Sequence, residues 1–263
     1  MKKRQNLILK SFGAGSITSP SPKKISGWIL ENKMSCCDLI SYKTELQLKE
    51  QKGYVDFSCA GGLFYGERII ESFPGIKSGF LRAEPYTDPE FLKLDSVRAA
   101  KICKKSYFSF PSPLELKIED AYFKDRTEFI GSICTEYKKM MRIQRDLGVK
   151  SHIIISDRFD ETELEELCRE RVFFFSPDGG YGVLKTILEY QNSIAVKPEK
   201  LPVVFELLKD YEIKSVSVIN GCHADFMSCL DHFDSENIIS GGFSDDCFND
   251  CWKNLKDESF VMR

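Results

Sequence analysis

The stretch that decides the fold is SHIIISDRFDETELEELCRERVFFFSPDGGYGVLKTILEYQ, residues 151–191. It repeats one pattern twice: a short apolar run, a polar turn and then a helix-forming segment. In the first copy, Asp160 and Glu163 have the spacing of a capping box at a helix start. The apolar runs are continuous rather than alternating, which is typical of parallel strands buried on both faces. The stretch therefore predicts two successive β→α units of a parallel sheet.

The same pattern extends over the rest of the chain. Eight strand-like runs are followed by helical patterns or turns, and these runs span residues 7–16, 53–62, 106–116, 151–156, 171–180, 193–199, 215–222 and 237–242. Eight units in 263 residues fit an α/β fold of the (β/α)8 TIM-barrel type. We therefore predict a single TIM-barrel domain over residues 1–263, with an irregular excursion at 63–104 that contains a helix near 89–104. The alternative is a doubly wound open sheet, although no glycine-rich phosphate loop opens a helix.

Charge and hydropathy exclude two classes of partner. The 37 basic and 40 acidic residues are interspersed and give a net charge of −3, so we expect no nucleic-acid partner. No apolar run approaches the roughly 20 residues that span a bilayer, so we expect no membrane partner. The first residues lack the apolar core of a signal peptide. These features predict a cytoplasmic protein.

The ten cysteines are scattered along the chain and do not predict a disulfide framework. Most are expected to be reduced, as small buried apolar residues. Cys247 and Cys251 lie four residues apart on a predicted helix, and with Cys222 they could form a thiolate cluster. Trp252 and Leu255 nearby favour core packing instead. We expect no metal ion.

In a TIM barrel the functional residues lie at the carboxyl ends of the strands. The strand-like runs of this chain end in polar, glycine-rich segments, which predict a wet pocket for a small-molecule ligand in the barrel mouth. Position alone predicts a set of ligand-binding residues at this rim. They are Ser11, Asp56, Ser109, Ser112 and Asn220.

Residues 218–226, VINGCHADF, form the strand end with the most chemically reactive side chains. Cys222 could be a thiol nucleophile with His223 as base, although sequence neighbours on an extended segment point to opposite sides. His223 and Asp225 could face the same way, with Asp225 orienting the imidazole. In the alternative interpretation, Cys222 is buried and His223 lies on the loop. With Asp157, these three form the predicted catalytic set, and metal-free acid–base chemistry is one hypothesis.

Residues 106–157 resemble the catalytic barrel of cobalamin-independent methionine synthase, in the superfamily that also contains uroporphyrinogen decarboxylase. The resembling features are a strand ending in a proline-rich turn, a Tyr/Lys/Asp-rich lead into a long helix, and a glycine before the next strand. The opening LKSFGAGS and the closing SGGFSDDCFNDCWKNLKDESFVMR are similar to that family as well. The resemblance implies a TIM barrel and methyl transfer from a folate to a thiol held by zinc. The implied zinc ligands are a His-x-Cys after the fifth strand, a Glu after the sixth and a Cys after the eighth.

The chain departs from this family at the implied zinc ligands. The fifth strand is followed by Ser176, the sixth by Lys197, and the eighth ends at Gly242. Asp157 keeps one carboxylate of the family's Asp-Glu-Pro. We therefore expect a methyltransferase or small-metabolite-binding enzyme without the zinc site. Such an enzyme could still use a folate-like methyl donor. The alternative is a non-catalytic barrel that binds a ligand or a partner, and a homodimer is compatible with either function.

Overall fold

The computed structural model describes residues 3–15, 20–32, 38–104, 106–243 and 250–263. Strands and helices alternate along most of the chain. The strands are β1 (Arg4–Asn6), β2 (Ile8–Ser11), β3 (Cys59–Gly61), β4 (Ile76–Lys77), β5 (Phe80–Leu81), β6 (Tyr107–Pro111), β7 (Glu119–Asp120), β8 (His152–Ile155), β9 (Val172–Phe175), β10 (Ser193–Val196), β11 (Ser215–Ile219), β12 (Ile238–Gly242) and β13 (Phe260–Met262). The helices are α1 (Pro22–Glu31), α2 (Leu39–Gln51), α3 (Gly66–Glu71), α4 (Glu90–Ile102), α5 (Arg126–Asp146), α6 (Glu161–Leu167), α7 (Tyr181–Leu188), α8 (Leu201–Leu207), α9 (His223–Cys229) and α10 (Asp250–Glu258).

Eight of these strands form two parallel four-stranded sheets. One sheet has the order β10-β11-β12-β2 and the other the order β3-β6-β8-β9. Neighbouring strands run parallel in register, for example Ile153 beside Phe173 and Val218 beside Ser240. Each of the eight strand-like runs predicted from the sequence contains one of these strands. The predicted α/β class is confirmed, since continuous apolar runs form parallel strands covered on both faces.

The two sheets meet along two seams. At the first seam, isolated parallel bridges join Lys10 to Phe57 and Ala14 to Gly62, between β2 and β3. At the second seam, between β9 and β10, no strand ladder forms among the described residues. The Gln191 side chain lies there instead: its Oε1 accepts from Phe174 N at 2.8 Å, and its Nε2 donates to Phe174 O at 3.0 Å and to Ser193 O at 2.7 Å.

Apolar side chains from both sheets fill a common interior. The buried residues of this cluster are Phe12, Cys59, Ile153, Ile155, Phe175, Ala195 and Ile219. The rings of Phe12 and Phe175 lie 5.2 Å apart across it. A Cβ at Gly241 would lie 2.4 Å from Ile219 Cδ1 and 3.1 Å from Phe12 Cε2, so a side chain at this position would force these neighbours to shift. The helices cover the outer faces of the sheets over two further apolar clusters.

The predicted excursion at 63–104 contains more regular structure than its turn-rich sequence indicates. Helix α4 matches the helix predicted near 89–104, whereas α3 and the strands β4 and β5 were not predicted. Strand β5 lies between β4 and β7 in a small three-stranded sheet. Arg68 of α3 is only 1% exposed, and it bonds Asp95 of α4 at 2.8 Å and Asp38 at 2.7 Å. The segment therefore packs into the fold rather than over it.

Helix α2 and the strand pair β1–β13 have no counterpart in the sequence prediction. Helix α2 buries polar as well as apolar side chains, among them Thr44, Gln47 and Gln51, so its sequence lacks the apolar stripe that marks a helix. Strands β1 and β13 pair antiparallel, with Gln5 opposite Val261. Pairing between segments so far apart in sequence leaves no local signal. In the part of the chain described by the structure, no helix is long and apolar enough to cross a membrane.

Candidate ligand site

Four polar side chains meet at the carboxyl ends of β8, β9 and β10. We name Asp157, Ser176, Asp178 and Lys197 the strand-end cluster. Asp157 Oδ1 accepts from Asp178 N at 2.8 Å and from Ser176 Oγ at 3.2 Å. Asp178 Oδ1 accepts from Lys197 Nζ at 2.5 Å. The cluster connects three successive strand ends and crosses the seam between the two sheets.

The strand-end cluster presents fixed charges to solvent. The hydrogen bond from its ammonium to Asp178 is the main reason that the pKa of Lys197 is raised, so Lys197 stays a cation. Asp178 is 67% exposed and Lys197 31% exposed, and Asp157 is also exposed. Asp157 Oδ2 has no hydrogen-bond donor in the described part of the chain. The arrangement can therefore bind an anionic group beside a cationic or hydrogen-bond-donating one.

Aromatic side chains lie next to this cluster. Phe175, which directly precedes Ser176, packs edge-on against Phe243 with ring centroids 5.2 Å apart. Phe243 N donates to Asn220 Oδ1 at 3.0 Å, and Asn220 Nδ2 donates to Phe243 O at 2.5 Å. Asn220 has a left-handed φ of 54°, a strained conformation that is concentrated at functional sites. Asn220 thus lies at the strand end as predicted, where it positions Phe243, and ligand binding by Asn220 stays a prediction.

The predicted rim serines are buried. Ser11 and Ser109 have no exposed surface. Ser109 Oγ donates to Ala60 O at 3.2 Å, and Ser11 Oγ accepts from Gly13 N at 3.3 Å. A Cβ at Gly13 would lie 2.0 Å from Ser109 Oγ, and Gly13 has a φ of 95°. Ser109 thus joins the ends of β6 and β3, and Ser11 stabilises the turn after β2. The role of both serines in ligand binding stays a prediction.

Ser112 is also buried, and its hydroxyl contacts Glu163. The sequence did not predict Glu163 as a site residue. The Ser112 hydroxyl lies 3.4 Å from Glu163 Oε1, which also accepts from Leu114 N at 2.7 Å. Burial raises the pKa of Glu163 to about 7. The sequence marked Glu163 only as part of a capping box with Asp160, which the structure confirms. Glu163 joins the loop after β6 to the start of α6.

The prediction that Asp56 lies on the rim is wrong. Strand β3 begins at Cys59, so Asp56 precedes the strand and lies at its amino end. Asp56 Oδ2 accepts from Leu9 N at 2.8 Å. The run 53–62 does not reveal where the strand begins, because glycine occurs at both of its ends. Asp56 connects β3 to β2 on the face opposite to the strand-end cluster.

The structure contradicts the predicted geometry of Cys222, His223 and Asp225. Asp225 Oδ2 accepts from Cys222 N at 2.8 Å at the start of α9, so the carboxylate caps a helix and does not orient the imidazole. His223 Nδ1 lies 2.9 Å from Phe260 O, and its ring stacks on Phe260 at 4.0 Å. The imidazole thus packs against β13. Cys222 is a free, exposed thiol rather than a buried one, and catalysis by these residues stays a prediction.

The described residues do not fit zinc at the positions that the family resemblance implies. The strand count is confirmed: β9 is the fifth core strand, β10 the sixth and β12 the eighth. Ser176 follows the fifth strand with a hydroxyl, and Lys197 follows the sixth with an ammonium that would repel a zinc ion. Among residues 3–15, 20–32, 38–104, 106–243 and 250–263, no group of three or more His, Cys, Asp or Glu side chains could hold a metal.

The cysteine predictions have mixed outcomes. Cys59, Cys134 and Cys229 are free and buried, as expected for reduced core cysteines. Cys251 is held in a disulfide, which the sequence did not predict. Cys247 lies outside the described residues, so the predicted pair of Cys247 and Cys251 is not described.

The architecture is similar to that of two solved methyltransferase structures. The chain has the fold of cobalamin-independent methionine synthase. The B12-independent methionine synthase from Shewanella sp. W3-18-1, in complex with selenomethionine, matches 96% of this chain and 94% of its own, with a TM-score of 0.53 and 13% identity. The metallated homocysteine methyltransferase MmuM from Escherichia coli matches 97% of both chains, with a TM-score of 0.51 and 14% identity. At this identity the methionine synthase likeness is one of fold. No family model and no curated protein sequence matches the chain.

Proposed function

We propose that the eight parallel strands form one (β/α)8 barrel with the strand-end cluster at its mouth. The shared interior of the two sheets supports this arrangement, because Phe12 of one sheet packs on Phe175 of the other. The bridges between β2 and β3 and the Gln191 side chain between β9 and β10 support it at the two seams. The methionine synthase likeness supports it over nearly the whole chain.

We further propose that the chain is a zinc-independent methyltransferase-like enzyme for a small zwitterionic metabolite. The observation that carries this proposal is the Lys197–Asp178 ion pair beside the free oxygen of Asp157. Lys197 would bind the ligand's carboxylate, and Asp178 would bind its ammonium. Phe243, which is half-buried and packs on Phe175, would contact the ligand's apolar part. The similar structures, which are named methionine synthase and homocysteine methyltransferase, favour a sulfur amino acid as the ligand.

The proposed chemistry uses a carboxylate in place of a metal. The thiol proton of the acceptor would pass to Asp157 Oδ2, and the sulfur would form a bond to the methyl carbon of a folate-like donor. The donor's carbon–nitrogen bond would break, with its electron pair left on the nitrogen. The nitrogen would then take up the proton that Asp157 received from the thiol. Asp157 would act as the general base, and Lys197 would orient the acceptor.

Thermal unfolding with L-homocysteine or L-methionine, in the presence of EDTA, tests this proposal. Ligand at about 100 times its Kd should stabilise the protein by ~2.7 kcal/mol. Lys197→Met should remove this stabilisation, since the ligand's carboxylate loses its partner. Lys209→Met and His223→Ala are controls, because both side chains lie outside the strand-end cluster. Both variants should still be stabilised by the ligand. Asp157→Asn should keep binding and lose methyl transfer.

Two outcomes would overturn the proposal of a zinc-independent enzyme. Stoichiometric zinc in the purified protein, with transfer abolished by EDTA, would show a metal-dependent reaction, contrary to the proposal. Binding unaffected by Lys197→Met would show that the ligand lies elsewhere.

A non-catalytic ligand- or partner-binding barrel is the second candidate. The hydroxyl and the ammonium in place of metal ligands at the fifth and sixth strand ends favour it. Ligand binding without methyl transfer, unchanged by Asp157→Asn, would support this function. A cytoplasmic location and a homodimer remain predictions under either function.

A further inference from the structure

A cleft of about 390 Å³ lies outside the strand-end cluster. It is formed by the loop after β6, the loop after β8 and the first turn of α5. Its charged lining residues are Glu115, Lys117, Arg126, Arg158 and Asp160. This volume falls in the range of small-molecule sites. We name it the rim cleft.

Both acidic residues of the rim cleft are already bound to protein groups. Glu115 Oε1 accepts from Ser156 Oγ at 2.8 Å. Asp160 Oδ2 pairs with Arg126 at 2.9 Å, and Asp160 Oδ1 accepts from Thr162 N at 3.0 Å. The carboxylates therefore stabilise the walls of the cleft, and Arg126 is the one cation that they neutralise directly.

The other two cations are free to bind a ligand. The guanidinium of Arg158 and the ammonium of Lys117 have no partner in the described part of the chain. Lys117 also has a left-handed φ of 52°, a conformation that costs free energy in a residue other than glycine. Its N–H donates to Leu114 O at 3.2 Å, so the loop turns at Lys117 and places this lysine on the cleft. The cleft carries three cations and two carboxylates that already have partners.

An aromatic wall completes the cleft. Phe159 lines it, and its ring packs edge-on against Phe174 of β9 with centroids 5.5 Å apart. This contact fixes the ring against the sheet. A ligand in the rim cleft would thus meet cationic groups on one side and an aromatic face on another.

We propose that the rim cleft binds a small organic phosphate ester whose apolar part packs on Phe159. The planar fork of Arg158 suits the oxygens of a phosphate, and Lys117 adds a second positive charge. The site is separate from the strand-end cluster, and it does not depend on the function proposed for that cluster.

Isothermal titration with phenyl phosphate tests this site, with inorganic phosphate and benzoate as comparison ligands. Phenyl phosphate should bind more tightly than either, since neither of them offers both a phosphate dianion and a ring. Binding should weaken with added salt. Arg158→Gln should weaken it by about tenfold or more, because a charge-assisted hydrogen bond is lost.

Lys117 and Lys124 provide a matched pair of variants. Both have left-handed φ, 52° and 63°, so replacement by glycine relieves the same strain, and Lys117 alone lines the cleft. Lys117→Gly should weaken phenyl phosphate binding severalfold, and Lys124→Gly should leave it unchanged. Equal loss in both variants, or no binding by the wild-type protein, would overturn the proposal.

Lys197→Met separates the two proposed sites. It should leave phenyl phosphate binding unchanged, because Lys197 does not line the rim cleft. Loss of phenyl phosphate binding in this variant would show that the phosphate binds at the strand-end cluster. It would overturn the proposal that the rim cleft is the binding site. Loss of amino-acid binding alone bears only on the zinc-independent enzyme.

Discussion

At the scale of single residues, the two most reactive side chains of residues 218–226 have structural partners. His223 and Asp225 are chemically the richest pair in the sequence, but one stacks on Phe260 and the other caps α9. No sequence pattern predicted Lys197 as a site residue, although its ammonium pairs with Asp178 in the strand-end cluster. The reason is physical: an imidazole or carboxylate next to a helix end satisfies backbone groups as readily as it binds a ligand.

Lys10 shows the same effect inside the fold. Its ammonium lies between the rings of Tyr107 at 4.6 Å, Phe12 at 4.9 Å and Phe173 at 5.1 Å. Burial lowers its pKa from 10.5 to about 8, against the opposing effect of the nearby Cys59 thiol. Folding therefore favours the neutral amine, and the charged form destabilises the native state at neutral pH.

Lys10→Met should consequently raise the free energy of unfolding at pH 7 by roughly 1–3 kcal/mol. The unfolded state binds more protons than the native state between pH 8 and 10.5, so wild-type stability should rise with pH over that window. The difference between variant and wild type should shrink there. Urea denaturation at pH 7, 8.5 and 10 measures both effects. Lys150→Met removes an exposed cation that lies over Phe57 and Tyr107, and it should change the free energy of unfolding little. A destabilised Lys10→Met would contradict the expectation.

At the scale of elements, local signals predicted strands and helix starts well. The capping box of Asp160 and Glu163 is formed, and the eight apolar runs all contain strands. Connections made by side chains were not predictable. Gln191 follows α7 in a segment that reads as an ordinary polar turn, yet its amide hydrogen-bonds the backbone of β9 and β10.

Gln191→Leu should therefore lower the free energy of unfolding by about 2–4 kcal/mol, because it leaves buried backbone groups of Phe174 without a partner. The leucine keeps the size of the side chain and removes only its hydrogen bonds. The exposed neighbour Asn192 is the control, and Asn192→Ala should stay within about 0.5 kcal/mol. Chemical denaturation of both variants checks this. Equal stability of Gln191→Leu and wild type would mean that the seam between β9 and β10 does not depend on this amide.

At the scale of the whole molecule, the segment at 63–104 is held to the sheets by a buried ionic network. Arg68 contacts Asp95, and Tyr65 Oη donates to the same carboxylate at 3.0 Å. Burial raises the pKa of Asp95 even though Arg68 opposes it. Tyr65 in turn stacks on Phe110 of β6 with ring centroids 5.5 Å apart. The network thus connects α3 and α4 to the parallel sheet.

Arg68→Met should destabilise the protein by about 3–5 kcal/mol, since it leaves Asp95 buried without its counter-charge. Adding Asp95→Asn should recover part of that loss, because the unpaired carboxylate is then removed as well. Glu71→Gln, which alters the exposed end of the same network, should cost about 1 kcal/mol or less. Thermal and urea unfolding of the three variants distinguish these cases. A double variant no more stable than Arg68→Met alone would contradict the reasoning.

The sequence by itself determined the α/β class, the eight parallel strands and the likeness to the methionine synthase fold. These follow from local periodicity and from the order of short motifs along the chain, both of which can be read without knowing any contact. It also showed that Ser176 and Lys197 stand where that fold's zinc ligands are implied.

Only the tertiary structure decided which polar side chains meet. The strand-end cluster and the rim cleft each combine residues from loops after different strands, and Arg68 reaches Asp95 from another helix. Such encounters depend on strand order, seams and side-chain packing, which leave no periodic signal in the sequence. For the same reason the sequence did not predict that Asp56 lies at the amino end of β3 or that the His223 ring packs against β13.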